Sequence, residues 1–284
     1  MNQPSTFISA QALSAKLGRS DVVVLDASWY LPGDHRDPQQ EYLDQHIPGA
    51  RFFDIDAIAD PDHNCPHMLP SARDFAESVA ALGVGCDTGV VIYDTKGLFS
   101  AARAWWMFQV YGHHAVEILT EGLPGWLAAG LAIESGQVTA VRAESKFAPE
   151  RQSGWLADLE SVRLAIEDDR TLVLDARSAS RFAGEEAEPR PGVRPGHIPG
   201  SVNCHYASLL TGDPTRLKPL VDLEVVLTAL GALSAESVIA TCGSGISACL
   251  LALALHELGR SPVAVYDGSW AEWGGRPDCP IARG

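Results

Sequence analysis

One cysteine lies in a short turn whose residue types can activate a thiol. The stretch ATCGSGISA covers positions 240–248, and the apolar run before it and the helical pattern after it place Cys242 at a strand-to-helix turn. Gly243 and Gly245 let the backbone curl without Cβ clashes, so that successive N–H groups can point inward. Ser247 is the expected N-cap of the helix, whose N-terminus adds positive potential. Because such donors stabilise a thiolate, we predict that Cys242 is a nucleophile.

Two other roles of this cysteine are alternatives to sulfur chemistry. An ordinary buried cysteine at a strand end would not need glycines on both sides of Ser244. A cysteine phosphatase needs an arginine six positions after the thiol to bind phosphate, and Ala248 occupies that position. Sulfur transfer is the other chemistry of such a loop, because a thiolate can attack a donor sulfur and hold it as a persulfide.

The elements that must position this turn occur twice in the chain. Four segments recur in order at offsets of 149, 151, 148 and about 146 residues: VVVLDA as TLVLDA, QHIPGA as GHIPGS, GVVIYD as SVIATC, and EGLPGW as DGSWAEW. This pattern indicates a tandem duplication of one domain. Short apolar strands alternate with helical patterns in each half, which is typical of an open, mainly parallel α/β sheet with helices on both faces. Ligands bind such sheets at the carboxyl ends of strands, where Cys242 lies.

The repeat also predicts the division of the chain. We expect residues 1–135 to form a first domain, 136–154 a polar linker, and 155–284 a second, catalytic domain. In the first half, Asp94 stands at the position that corresponds to Cys242. Because a carboxylate cannot carry sulfur, the first domain is predicted to be non-catalytic.

Composition excludes some classes of partner. The chain has 284 residues, is 46% hydrophobic and carries a formal net charge of -15. A protein this acidic is not expected to bind nucleic acid or an anionic membrane through a general field. No apolar stretch reaches the roughly 20 residues of a membrane span, and the N-terminus lacks a signal-peptide pattern, so a cytoplasmic location is predicted. The six cysteines show no pairing rhythm and are expected to be free thiols.

The duplicated halves, the HIPGA and HIPGS segments, RFAGEEAEPRPG at 181–192 and CGSGISA resemble two-domain rhodanese-type sulfurtransferases over essentially the whole chain. The CGSG turn is similar to that of 3-mercaptopyruvate sulfurtransferases, whereas thiosulfate-using relatives typically carry basic residues just after the cysteine. The resemblance implies that sulfur passes from 3-mercaptopyruvate through a Cys242 persulfide to a thiol, thioredoxin or cyanide, with release of pyruvate. It implies no metal and no organic cofactor.

The resemblance also implies a substrate-binding set. Arg181 and Arg190 match the pair that binds the substrate carboxylate, and arginine suits this bidentate contact. Arg194 is a weaker third candidate. The alternative is that these arginines only balance the neighbouring acids Glu185, Glu186 and Glu188 on the surface. The turn residues implied to bind substrate are Gly243, Gly245, Ile246 and Ser247.

A catalytic triad is the last implied feature. Ser244 matches a serine that the family pairs with a histidine and an aspartate, here His67 and Asp56, to move a proton to the departing enolate. The alternative is that Ser244 closes the turn and that the other two bond backbone. His63 and Cys65 precede His67 in PDHNCPH, but the spacing matches no established zinc pattern, so we expect a structural role there.

Two other functions stay open at the level of sequence. The first is a thiosulfate–cyanide sulfurtransferase on the same fold, against which the neutral residues after Cys242 argue. The second is a non-catalytic sulfur carrier that receives persulfide from a partner, which a duplicated fold with one altered half would suit.

Overall fold

The chain divides into two units, which follow the two halves of the sequence except in two short segments. The computed structural model describes residues 6–139, 142–143 and 147–284; residues 140–141 and 144–146 of the predicted linker lie outside the described residues. Unit 1 comprises Met1–Pro61, Leu69–Gln152 and Gly212–Arg216, and unit 2 comprises Asp62–Met68, Ser153–Thr211 and Leu217–Gly284. The short segment Asp62–Met68 therefore belongs to unit 2, although it lies in the first half of the sequence.

Unit 1 is built on a five-stranded sheet. Its strands are β1 (Phe7–Ile8), β2 (Val22–Asp26), β3 (Arg51–Phe52), β4 (Gly89–Tyr93) and β5 (Val116–Leu119). Its helices are α1 (Ala10–Ser14), α2 (Pro38–Asp44), α3 (Ala72–Ala81), α4 (Ala101–Val110) and α5 (Gly122–Ala128), with a 3-10 turn at Pro32–Asp34. The strand order is β1-β5-β4-β2-β3, and the pairings are parallel. Strand β4, which precedes Asp94, is therefore the central strand.

Unit 2 repeats this plan. Its main strands are β6 (Leu156–Ala157), β7 (Thr171–Asp175), β8 (Val202–Asn203), β11 (Ser237–Thr241) and β12 (Ala264–Tyr266). Its helices are α6 (Leu159–Ala165), α7 (Ala179–Ala183), α8 (Leu220–Ala229), α9 (Ala248–Glu257) and α10 (Ser269–Trp273), with a 3-10 turn at Tyr206–Leu209. A separate two-stranded sheet joins β9 (Leu210–Thr211) and β10 (Arg216–Leu217). The parallel order β6-β12-β11-β7-β8 matches that of unit 1 and confirms the predicted duplication.

Local sequence signals explain where several helices begin. The Ser71 hydroxyl accepts a hydrogen bond from the Asp74 N–H at 3.1 Å and donates to the Asp74 carboxylate at 2.6 Å, as the capping pattern before α3 predicts. Asp158 caps α6 in a similar way, accepting from the Ser161 N–H at 2.8 Å. Such side-chain acceptors replace the carbonyl partners that the first turn of a helix lacks.

The helices that follow the two central strands are deeply buried. All ten residues of α4 are buried, including Trp105 and Trp106. Residues Ala248 to Leu255 of α9 are also buried. A helix that is apolar on every side must be enclosed by protein or by lipid. Within the described residues, no helix has both the length and the apolar character that a bilayer crossing requires.

The polar segment after α5 follows unit 1. The Gly136 N–H donates to the Leu43 carbonyl at 2.7 Å, and the Gln152 N–H donates to the Val110 carbonyl at 2.8 Å. Phe147 is only 8% exposed. The described part of this segment is therefore anchored to unit 1 by backbone hydrogen bonds and by one buried ring.

Candidate active site

Cys242 is the first residue after β11, and α9 begins at Ala248, so the predicted strand-turn-helix arrangement is present. The Cys242 side chain is buried, with 2% exposure. The Gly245 N–H donates to Cys242 Sγ at 3.1 Å, and Gly245 has a φ of 81°, in the left-handed region that favours glycine. The turn thus aims a backbone donor at the sulfur, which stabilises negative charge there.

Gly243 serves the turn in a different way from Gly245. Its φ lies outside the left-handed region, so the expectation that both glycines supply backbone curvature holds only for Gly245. A Cβ atom on Gly243 would lie 3.2 Å from Nη2 of Arg181. Gly243 therefore lets a guanidinium pack against the backbone beside the thiol.

The remaining turn residues are mostly enclosed. Ser244 is 7% exposed and Ile246 2% exposed, so Ile246 anchors the turn in the core. Ser247 is the N-cap residue of α9, as predicted, but its side chain makes no capping hydrogen bond. The N-terminal N–H groups of α9 therefore lack the side-chain acceptor that a capping serine usually supplies.

The first residues of α10 form hydrogen bonds with the backbone of the turn that contains Cys242. The N–H groups of Trp270 and Ala271 donate to the carbonyls of Cys242 and Gly243 at 3.0 and 2.9 Å. The Ser269 hydroxyl accepts from the Cys242 N–H at 3.3 Å. Sequence analysis did not assign these residues, although the repeat of EGLPGW as DGSWAEW was a usable signal.

Unit 1 contains the corresponding contact around Asp94. The Leu123 N–H at the start of α5 donates to the Asp94 carbonyl at 3.0 Å. The Asp94 carboxylate accepts hydrogen bonds from the N–H groups of Lys96, Phe99 and Ala101 at 2.9, 2.6 and 2.9 Å. In this unit the turn donors therefore bind the protein's own carboxylate, and burial raises the Asp94 pKa although these bonds oppose the shift.

Arg181 and Arg190, the predicted carboxylate-binding pair, lie close to the thiol. Arg181 belongs to α7 and packs on Gly243. Burial lowers the pKa of the Arg190 guanidinium and the neighbouring Arg181 lowers it further, whereas the Cys242 thiol and Glu188 raise it. The structure thus brings two cations and the thiol together, which can attract an anionic substrate in an otherwise acidic protein.

Behind these arginines lies a buried ionic network that sequence analysis missed. Arg177 is 2% exposed and donates to the Asp175 carboxylate at 2.6 to 3.1 Å. It also donates to Glu188 at 2.9 Å, and its guanidinium lies 4.4 Å from the Trp270 ring centroid. Glu188 in turn accepts from Arg181 at 2.5 Å. Pairing of this kind is what allows charges to be buried.

The third arginine has a different environment. Arg194 donates to the carbonyls of Gly274 and Cys279, both at 3.0 Å. These contacts attach the C-terminal segment of unit 2, so Arg194 is engaged with the main chain rather than with Cys242.

The predicted triad partners fall in different parts of the chain. His67 belongs to the segment Asp62–Met68 of unit 2 and has a positive φ of 62°. Asp56 belongs to unit 1, where its carboxylate accepts hydrogen bonds from Trp29 Nε1 at 3.2 Å. The catalytic roles of Ser244, His67 and Asp56 stay predictions.

His63 and Cys65 are the other residues near His67 whose side chains could bind a metal. His63 is hydrogen-bonded to the backbone, and Cys65 is partly buried. His63 Nδ1 accepts a hydrogen bond from the Cys65 N–H at 3.0 Å. Burial and the nearby Glu272 raise the pKa of the Cys65 thiol to about 11, although Arg190 opposes the shift. Cys65 is therefore a neutral thiol at pH 7, which makes it a poor nucleophile.

Comparison with known proteins agrees with this geometry. Residues 9–129 and 158–276 match the model of the rhodanese family, described as a rhodanese-like domain. The human 3-mercaptopyruvate sulfurtransferase is 42% identical, covering 97% of this chain and 93% of that protein. The Arabidopsis thaliana thiosulfate/3-mercaptopyruvate sulfurtransferase 1, mitochondrial, is 41% identical, covering 96% of this chain and 77% of that protein.

A solved structure extends the comparison to the fold. The crystal structure of SseA from Escherichia coli, described as a 3-mercaptopyruvate sulfotransferase with the rhodanese fold, is 36% identical and superposes with a TM-score of 0.83. The match covers 94% of this chain and 99% of SseA. The chain therefore belongs to the rhodanese family, as a tandem of two rhodanese-like domains.

Proposed function

We propose that this protein is a 3-mercaptopyruvate sulfurtransferase that uses Cys242 as its nucleophile. The observation that carries the proposal is the environment of this thiol, in which the Gly245 N–H donates to Sγ at 3.1 Å while Arg181 packs on Gly243. The similarity to relatives with that activity over nearly the full length of the chain supports the same donor. Cys65 and Cys204 are weaker candidates, because burial raises the pKa of both thiols to about 11.

The placement of Cys242, Arg181 and Arg190 supports the following reaction as our proposal. The Cys242 thiolate attacks the sulfur of 3-mercaptopyruvate, and the carbon–sulfur bond breaks with its electron pair moving to carbon as the enolate of pyruvate. The proton of the substrate thiol goes to that carbon, so pyruvate leaves and a Cys242 persulfide remains. Arg181 and Arg190 bind the substrate carboxylate, and the backbone of the turn binds the reacting sulfur. Ser244, with His67 and Asp56, is the proposed route of the proton.

The second half-reaction transfers the outer sulfur to an acceptor and restores the thiolate, which makes the cycle ping-pong. We propose a small thiol, reduced thioredoxin or cyanide as acceptor. Thiosulfate is a second donor candidate because the Arabidopsis relative is named for both donors. The cytoplasmic location predicted from the sequence also stays a prediction, since that relative is named as mitochondrial.

Side-by-side kinetics with mercaptopyruvate and thiosulfate test the proposal. We expect pyruvate release by the purified protein with no partner present, and a higher kcat/KM for mercaptopyruvate. Mass spectrometry after donor treatment should find one added sulfur on Cys242 that cyanide removes, and Cys242→Ser should be folded and inactive. Sulfur on Cys204 or Cys249 instead would refute the nucleophile, and absence of pyruvate release would favour a carrier.

A further inference from the structure

Glu188 is the buried link between two arginines of the site. Its side chain is 3% exposed, with one carboxylate oxygen 2.9 Å from Arg177 Nη1 and the other 2.5 Å from Arg181 Nη2. The neighbouring acids Glu185 and Glu186 in the same loop are exposed. Glu188 alone of these three acids is therefore placed to change the charge that a bound donor meets.

The charges of the network add up to a small positive value. Arg177 is paired with Asp175, and both side chains are 1% exposed or less. Arg181 is paired with Glu188, and Arg190 lies within electrostatic range of Arg181, Glu188 and the Cys242 thiol. Before the Cys242 thiolate is counted, three arginines and two acids leave one net positive charge.

We propose that Glu188 determines donor specificity by offsetting the charge of Arg181, so that the site suits a donor with one negative charge and disfavours a dianion. Mercaptopyruvate carries one carboxylate, whereas thiosulfate is a dianion. The inference rests on the proposed function and extends it to the selection between donors. Its physical basis is that charges in a partly buried site are screened much less than on the surface, so one unpaired cation more or less changes anion binding strongly.

The second charge of thiosulfate would find no partner in this network. Arg177 lies behind Glu188, has 1% side-chain exposure, and is already bonded to Asp175 and to the Gly196 carbonyl at 2.9 Å. Removing the charge of Glu188 would release Arg181 to act as a second cation towards the donor. The sulfite that leaves from thiosulfate would gain from the same change, because it also is an anion.

Glu188→Gln tests the inference, with Glu186→Gln as the matched control. Glutamine keeps the size of the side chain and one oxygen acceptor, and both variants change the net charge of the protein equally. We expect the ratio of kcat/KM for thiosulfate to kcat/KM for mercaptopyruvate to rise about tenfold or more in Glu188→Gln and to stay within about twofold in Glu186→Gln. Glu188→Asp, which keeps the charge on a shorter side chain, should retain the wild-type ratio.

The outcomes separate the inference from the proposed function. A wild-type protein that releases pyruvate, with the same donor ratio in folded Glu188→Gln, overturns the role of Glu188 alone. Equal losses for both donors in Glu188→Gln and Glu188→Asp would mean a merely structural role and overturn it as well. A wild-type protein that prefers thiosulfate overturns both.

A measurement on the wild-type protein covers the case in which Glu188→Gln does not fold. Sulfate and methanesulfonate share an oxyanion geometry but carry two charges and one charge. We expect methanesulfonate to inhibit mercaptopyruvate turnover at a concentration no higher than sulfate does. Inhibition by sulfate at concentrations about tenfold lower than methanesulfonate would overturn the inference.

Discussion

At the scale of single residues, the two arginines beside Cys242 differ in what else they hold. Arg181 is bonded to the buried carboxylate of Glu188. Arg190 is half-buried, and its desolvation and the charge of Arg181 lower the pKa of its guanidinium. Loss of either cation should weaken substrate binding, but only the loss of Arg181 removes a partner from a buried acid.

Arg190→Ala and Arg181→Ala should therefore separate binding from stability. We expect each to lower kcat/KM for mercaptopyruvate by roughly 30- to 1000-fold, the cost of a lost charged hydrogen bond in a partly dry site. Arg181→Ala should also lower the free energy of unfolding by about 1 to 3 kcal/mol, since Glu188 loses one of its two partners. Steady-state kinetics and denaturant titration measure the two effects.

The control is Arg170→Ala, because the Arg170 side chain is 71% exposed and pairs with acids at the surface. It should leave both quantities nearly unchanged. Unaltered kinetics in both Arg181→Ala and Arg190→Ala would contradict a role in substrate binding. That result would favour the alternative in which these arginines only balance neighbouring acids at the surface.

At the scale of elements, the residue at position 243 determines how the turn between β11 and α9 packs against Arg181. If the neutral residues after Cys242 set donor preference, Gly243→Arg with Ser244→Lys should raise kcat/KM for thiosulfate and lower it for mercaptopyruvate. The new cations would bind the dianion and the departing sulfite. The new Cβ at position 243, 3.2 Å from Arg181 Nη2, would also require the guanidinium to shift by a few tenths of an ångström.

Gly243→Ala isolates that displacement from the added charge. It should reduce mercaptopyruvate efficiency without improving thiosulfate use, and it should fold, since Gly243 does not adopt a positive φ. Melting temperatures would be compared before the kinetics are interpreted. A double variant that is folded but keeps the wild-type ratio of efficiencies would show that donor preference lies outside positions 243 and 244.

The corresponding turn of unit 1, after β4, should depend on the Asp94 carboxylate for its stability. Asp94→Ala leaves three backbone N–H groups without the carboxylate that they bind, which should destabilise the unit by about 3 kcal/mol. Asp94→Asn keeps the size of the side chain and one acceptor oxygen, which can still accept from the N–H groups of Phe99 and Ala101, and should cost less. Denaturant unfolding measures both variants, and an unchanged midpoint for Asp94→Ala would contradict the structural role of this carboxylate.

At the scale of the whole molecule, Asp26, a buried acid of the first sheet, should contribute to the dependence of stability on pH. Burial raises the pKa of Asp26 to about 6, against the bonds from Ser28 that oppose the shift. The corresponding acid of unit 2, Asp175, has the guanidinium of Arg177 as its partner. The aspartate at the corresponding strand end is therefore hydrogen-bonded by Ser28 in unit 1 and paired with an arginine in unit 2.

The sign of the effect follows from proton binding. An unfolded aspartate loses its proton near pH 4, whereas folded Asp26 keeps its proton to about pH 6. The contribution of this group to stability is thus fully present below pH 4 and is lost as pH rises towards and through 6. The loss amounts to about 2 to 3 kcal/mol.

Asp26→Asn should abolish this component of the pH dependence between about pH 4 and 6, because an amide does not titrate. Asp169→Asn, a change at an exposed acid, is the control and should leave the profile as it is. Unfolding free energies at several pH values provide the measurement. A wild-type profile that rises over this range, with the same slope in Asp26→Asn, would contradict the assignment.

The sequence by itself determined the duplication, the parallel α/β plan and the position of Cys242 at a strand-to-helix turn. These features are written in contiguous residues: apolar runs that form strands, glycines that permit a tight turn, and the same motifs repeated at nearly constant spacing. In the structure β11 pairs with β7 in a parallel register that sets Thr241 beside Asp175.

Only the tertiary structure decided which acids and arginines act together. Glu185, Glu186 and Glu188 are alike in sequence, yet one is buried between Arg177 and Arg181 while the other two are exposed. The assignment of Asp62–Met68 to unit 2 likewise could not be predicted, because it depends on contacts far apart in the chain. Burial is a property of the packed fold rather than of residue type, and it is burial that gives a charge its influence on the site.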